Sequence, residues 1–142
     1  MFGGLQDLEL TDNFLLGVPE IDGDHQVMLD LIKAVMGAVR VRNDGRCERY
    51  LNRLFAYTQS HFEREERLLR NWNFPDIDKH KSYHTALLAR AESLREVCRN
   101  VESEQEYQTC CEQMMSFLVD DVIRGDVQLK SFVERAGLAL PA

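Results

Sequence analysis

From Ile21 onward, apolar residues recur three and four positions apart in four separate runs. In the first, Ile21, His25, Met28, Ile32, Val35/Met36 and Val39 trace one stripe of a helix. That run stops where Asn43-Asp44-Gly45 predicts a turn. The second carries Leu51, Leu54, Phe55, Thr58, His61, Phe62, Glu65, Leu68, Leu69 and Trp72. It closes near Pro75, which cannot continue a helix but can open the next one. The third has the cleanest rhythm: His80, His84, Leu87, Ala91, Leu94, Cys98 and Val101 step by 4, 3, 4, 3, 4, 3. Asn100 marks its end, and Ser103-Glu104-Gln105-Glu106 is a capping box for the fourth. There Tyr107, Cys111, Met114, Leu118 and Asp121 repeat the 4, 3, 4, 3 spacing, and Gly125 is expected to interrupt the helix. A short terminal helix over 127–136 follows.

Four such helices, joined by turns of about 3 to 6 residues, predict an all-α fold. The expected architecture is an up-down-up-down antiparallel four-helix bundle behind an irregular N-terminal arm of about 20 residues. No alternating strand pattern competes, and no repeat or linker divides the chain, so residues 1–142 read as a single domain. The longest apolar run, near Leu29 to Val41, is broken by Asp30, Lys33 and Arg40 and is unfit to cross a bilayer. The first residues lack the basic start and apolar stretch of a secretory signal, so a cytoplasmic protein is expected, with no membrane partner. A net charge of -7 without a basic stripe argues against nucleic acid. Cysteines stand at 47, 98, 110 and 111, with no CxxC pair. Cys110 and Cys111 point about 100° apart on a helix, which suits neither a mutual disulfide nor shared metal binding. The four thiols read as reduced and mostly buried.

The stripes also carry residues that do not belong in an apolar core. His61 and Glu65 interrupt the second, His80 and His84 the third, His25 the first and Asp121 the fourth. Side chains at i and i+4 share a face, with Cβ atoms about 5–6 Å apart, so each such pair can converge on one ion. Burying this many ionisable groups unpaired costs several kcal/mol each, and a metal converts that cost into coordination. A single buried histidine is ordinarily a hydrogen-bonded core residue. Here all four histidines of the chain lie on buried stripes of three helices, beside two inward carboxylates. Imidazole plus carboxylate without thiolate suits iron, manganese or zinc. Six or seven ligands exceed one tetrahedral zinc, so iron or manganese fits best.

Four stretches, GVPEIDGDH (17–25), HFEREERLL (61–69), FPDIDKHKSYH (74–84) and FLVDDVIRGD (117–126), occur in an order and spacing that resembles the hemerythrins in their bacterial form. The resemblance implies a four-helix bundle around a non-haem di-iron centre that binds O2 or a related small diatomic ligand. It implies that His25 and His61 ligate the iron with the open position, and His80 and His84 the second iron. Glu65 and Asp126 would bridge the two ions together with an oxo or hydroxo group. Phe62, Leu118 and Val122 are in register to line an apolar O2 pocket, while Trp72, Met114 and Met115 read as packing.

The family pattern has a third histidine for the second iron, and Asp121 stands at that position. Leu10 stands where a tryptophan is usual. An aspartate is shorter than a histidine and, being a hard anion, favours ferric over ferrous iron. With Asp121 as a ligand, the centre is expected to autoxidise faster than a three-histidine version. The expected function is O2 carriage, storage or sensing by a binding protein rather than an enzyme. The alternatives are a di-iron oxidoreductase acting on O2, peroxide or NO, and a degraded centre with reduced iron binding. The protein partner and the oligomeric state stay open.

Overall fold

The computed structural model describes residues 15–136. The expected arm before residue 15, including Leu10, lies outside the described residues. The helices are α1 (Pro19–Arg40), α2 (Asp44–Asn71), α3 (Ile77–Arg99), α4 (Glu104–Ser116) and α5 (Arg124–Ala136). Between α4 and α5, Phe117–Ile123 winds as a π-helix, so the chain from Glu104 to Ala136 is one continuous helix. Neighbours in sequence pack as neighbours in space, and α4 with its π-helical extension closes back onto α1. The result is the all-α four-helix bundle that the periodicity predicts. Among the described residues, no helix is long and apolar enough to cross a membrane.

Local chemistry sets the helix ends. Pro19 opens α1, where its missing N–H would have no partner in any case. The Asp22 carboxylate accepts hydrogen bonds from the backbone of Leu16 (2.9 Å) and Gly17 (3.1 Å). The turn after α1 is shorter than its Asn-Asp-Gly sequence suggests. Asn43 caps α2 by accepting from the Arg46 N–H at 3.0 Å, and Asp44 and Gly45 already lie inside the helix. Ser103 caps α4 as expected, its hydroxyl accepting from the Glu106 N–H at 3.1 Å. The Glu106 carboxylate reaches one residue further back than a capping box requires and accepts from the Glu102 N–H at 3.1 Å. Asn100 ends α3, whereas Pro75 stays in the preceding turn and α3 begins at Ile77.

The expected break at Gly125 is absent. The helix loosens earlier, in the π turn, where the Arg124 N–H reaches back five residues to the Val119 carbonyl. Gly125 has a different role: a Cβ there would stand 2.6 Å from the Tyr83 ring. Its bare backbone lets Tyr83 lie against the helix and donate its hydroxyl to the Asp121 carbonyl. The wider turn also changes which residues face inward. An α-helical continuation of the 4, 3 rhythm past Leu118 selects Asp121. In the π turn Asp121 is left partly exposed, Val122 takes the next buried position and, four residues on, Asp126 is buried too.

Two apolar clusters make the interior. The larger runs from Met28 and Phe62 to Cys47, Leu94 and Cys110, and the smaller joins Leu16, Val18, Ile21, Leu69, Leu129 and Val133. Trp72 packs against the smaller, Met114 lies inside the larger and Met115 packs onto it. On each helix the polar residues fall between the two: His25 between Ile21 and Met28, Glu65 between Phe62 and Leu69, and Asp126 between Val122 and Leu129.

Candidate metal centre

Helical spacing brings the imidazoles and carboxylates to one level of the bundle. His61 and Glu65 project from one face of α2, and His80 and His84 from one face of α3. His25 comes from α1 and Asp126 from the start of α5. They form two groups of donor atoms, each with all members within 4.8 Å: Glu65, His80, His84 and Asp126, and His25, His61 and Asp126. Asp126 belongs to both. Its Oδ2 lies 2.7 Å from His25 Nε2 and 2.9 Å from His61 Nε2, and its Oδ1 lies 4.0 Å from His80 Nε2. Glu65 Oε1 is 3.0 Å from His84 Nε2 and in contact with His80 Nε2. Every one of these side chains is fully buried except His80, which is about 10% exposed.

Two further carboxylates stand behind the histidines, and nothing in the hydrophobic pattern singles them out. Asp24 Oδ2 faces His61 Nδ1 at 3.0 Å, held in place by Arg64 (3.0 and 2.8 Å) and by the Tyr57 hydroxyl (2.8 Å). Glu66 Oε2 faces His84 Nδ1 at 2.9 Å. Each sits next in sequence to an inward residue, so its helical direction is about 100° off the stripe. The clue available in sequence was the burial of the histidine itself, since a buried ring nitrogen needs an acceptor.

This arrangement bears directly on whether the residues suit a metal. A neutral imidazole has one N–H to donate. In His61 and His84 the Nδ1 hydrogen goes to Asp24 and Glu66, which leaves the Nε2 lone pair aimed at Asp126 and Glu65. Lone pair against carboxylate is repulsive unless the ring takes a second proton or a cation lies between them. Without a cation the protein takes the first course at His61. Burial pushes its pKa down, but hydrogen bonds to Asp126 and Asp24 and the nearby Glu65 carboxylate outweigh that and hold it well above the ordinary value. His84 is raised in the same way: burial lowers it, and Glu65 and Glu66 more than reverse the effect. Burial pushes Glu65 up, yet the imidazoles of His61, His80 and His84 around it hold it well below the usual carboxylate range. Its Oε2 nonetheless makes no hydrogen bond, at 3.3 Å from His61 Nε2. Donors at about 2.1 Å from one ion and at right angles stand about 3 Å apart, which matches the spacing found. The donor set fits a pair of ions.

Asp121 is not among these groups. Its carboxylate pairs with Arg90 on α3 at 2.7 Å and is partly exposed. Phe62, Leu118 and Val122 are all buried, and Phe62 stacks on His84 with ring centroids 4.0 Å apart. On the His80 side a cleft of about 580 Å³ opens to solvent, lined by Phe74, Lys79, His80, Tyr83, Arg124 and Phe132 among others.

The family description hemerythrin HHE cation binding domain matches residues 16–124, well over half of the chain. The chain belongs to the hemerythrin family. No curated protein matches it as a relative. The hemerythrin match spans every residue of the two donor groups except Asp126, which stands just past its end.

Proposed function

We propose that this hemerythrin-family chain holds two iron ions in its buried polar layer and binds O2 there. One observation carries the reading: two groups of imidazoles and carboxylates, facing each other across the bundle, share Asp126. His25 and His61 would hold one iron and His80 and His84 the other, with Asp126 and Glu65 between them. When bound, a pair of ferrous ions supplies the two electrons that reversible O2 uptake draws on. The protein's own part is positioning and exclusion. Asp24 and Glu66 accept the Nδ1 hydrogens, so His61 and His84 present unprotonated Nε2 atoms in one orientation. Phe62, Leu118 and Val122 keep water from the layer on its inner side, which slows proton entry and the loss of reduced oxygen.

The test is to reduce the protein without air, count iron per chain and follow absorption as O2 is admitted and withdrawn. About two irons per chain and a spectrum that returns on removing O2 support the reading. Iron-replete growth that yields protein without iron would sink it.

A second reading, a di-iron oxidoreductase, is favoured by one feature. His80 stands at the edge of an open cleft that a small substrate could enter. Sustained consumption of O2, peroxide or NO with an electron donor would select it over a binding protein.

A further inference from the structure

Far from the polar layer, sulfur atoms gather where α2, α3 and α4 meet. Cys98, in the last turn of α3, places its Sγ 2.6 Å from Cys110 Sγ on α4. That is closer than two unbonded sulfurs ordinarily approach, and both thiols are free and buried. Cys111, beside Cys110 in sequence, turns away and contacts Met36 Sδ on α1 at 3.1 Å. Cys47 of α2 belongs to the same apolar cluster as the pair. Of the four cysteines, Cys47 and Cys98 alone line a cleft of about 80 Å³ that opens between Arg42, Glu48 and Arg99.

We propose that Cys98 and Cys110 form a peroxide-oxidisable dithiol that closes a disulfide between α3 and α4. The oxidant is hydrogen peroxide or a comparably small hydroperoxide, because the cleft has room for about two or three water-sized molecules. A folded thiol oxidoreductase could not reach the pair through it. Cys98 reacts first, since it lines the cleft and Cys110 does not. Its thiolate attacks one peroxide oxygen, the O–O bond breaks, and Cys98 becomes a sulfenic acid as one water leaves. The Cys110 sulfur, already in contact, attacks the Cys98 sulfur, the S–O bond breaks, and the second water leaves. Two thiols and one peroxide thus become one disulfide and two waters. The 12-residue separation of the pair spans the whole α3–α4 turn, so the bond would lock that corner of the bundle. The proposal stands apart from the metal reading, because none of the metal-facing residues takes part.

The test is to treat the full-length protein, reduced and then freed of reductant, with hydrogen peroxide, and to titrate thiols and map peptides. Two of the four thiols should disappear per chain, with the mass falling by two hydrogen atoms, and dithiothreitol should restore both. A linked peptide pair should join Cys98 to the segment holding Cys110 and Cys111. Cys98→Ser and Cys110→Ser, with helicity checked by circular dichroism, should each abolish the link, while Cys111→Ser and Cys47→Ser keep it. The wild-type mapping needs no variant to fold. Four thiols that remain titratable, oxygen addition without a link, or a link through Cys47, Cys111 or a second chain would each overturn the proposal.

Discussion

The middle and the far end of this bundle are built by the same helices at the same spacing, yet they bury opposite kinds of side chain. At the far end Met36, Leu51, Leu94, Cys110 and Met114 meet with no buried carboxylate among them. In the middle, His25, His61, Glu65, His84 and Asp126 occupy equivalent inward positions and are buried just as fully. The interior of the far end is stabilised chiefly by burial, at roughly 25 cal/mol per Å² of apolar surface. The middle cannot be, since its groups carry charge and two of its imidazoles, His61 and His84, face carboxylates at both nitrogens. One layer is complete as folded, and the other gathers the donor groups that a cation would hold.

Removing the metal should separate the two layers most sharply. If the proposed iron is bound, stripping it from the reduced protein is expected to cost several kcal/mol of stability. In hydrogen exchange, the turns around His25, His61–Glu65 and His80–His84 should lose protection, while those around Leu51 and Met114 keep theirs. Equal loss along all helices would show that the layers are not distinct.

Single substitutions should divide the same way. Leu94→Ala opens a cavity at the far end and is expected to cost about 2–5 kcal/mol in urea unfolding, with iron per chain unchanged. Asp126→Ala should at least halve the iron content, because both donor groups use that carboxylate. Iron loss in Leu94→Ala would blur the distinction.

A smaller effect, dependent on pH, is expected at Asp24. Burial raises its pKa, but hydrogen bonds from His61, Arg64 and Tyr57 outweigh that and bring it to about 2 from an ordinary 3.8. A folded pKa below the unfolded one adds stability that is fully present above the unfolded value and disappears as pH falls toward 2. In the metal-free protein, Asp24→Asn should therefore cost about 2 kcal/mol near neutrality. The gap from wild type should close as pH drops from about 4 to 2. A gap independent of pH would mean that Asp24 acts only through packing.

The smallest change in stability is expected for Asp121→His. Breaking a partly exposed ion pair with Arg90 costs at most about 1 kcal/mol. Because Asp121 lies outside both donor groups and pairs with Arg90, a histidine there should leave iron per chain, and the lifetime of the proposed O2 adduct, unchanged. A longer lifetime in the variant would show that residue 121 reaches the metal.

The difference between Asp121 and Asp126 also shows where sequence reasoning reached its limit. Both are acidic, five residues apart, on the last helix, and an unbroken α-helix would set them about 140° apart. Extending the rhythm of Tyr107, Cys111, Met114 and Leu118 turned Asp121 inward. The π turn inserts a residue, so Val122 takes the inward place and Asp126 follows it into the layer. Gly125 was legible as unusual, but its reason was Tyr83 on another helix, which local pattern does not reveal. Asp24 and Glu66 escaped for a related reason. They reach the site by hydrogen-bonding the far nitrogen of an inward histidine and not by sharing its stripe.

The sequence by itself determined the four helices, the cap at Ser103, and the inward faces carrying His25, His61, Glu65, His80 and His84. These follow from periodicity and from hydrogen bonds that close within a few residues. Only the tertiary structure decided that Asp126 joins both donor groups, that Asp24 orients His61, and that Cys98 meets Cys110. Such pairings depend on how one helix is rotated against another. A single widened turn changes that rotation while leaving the local preferences of every residue as they were.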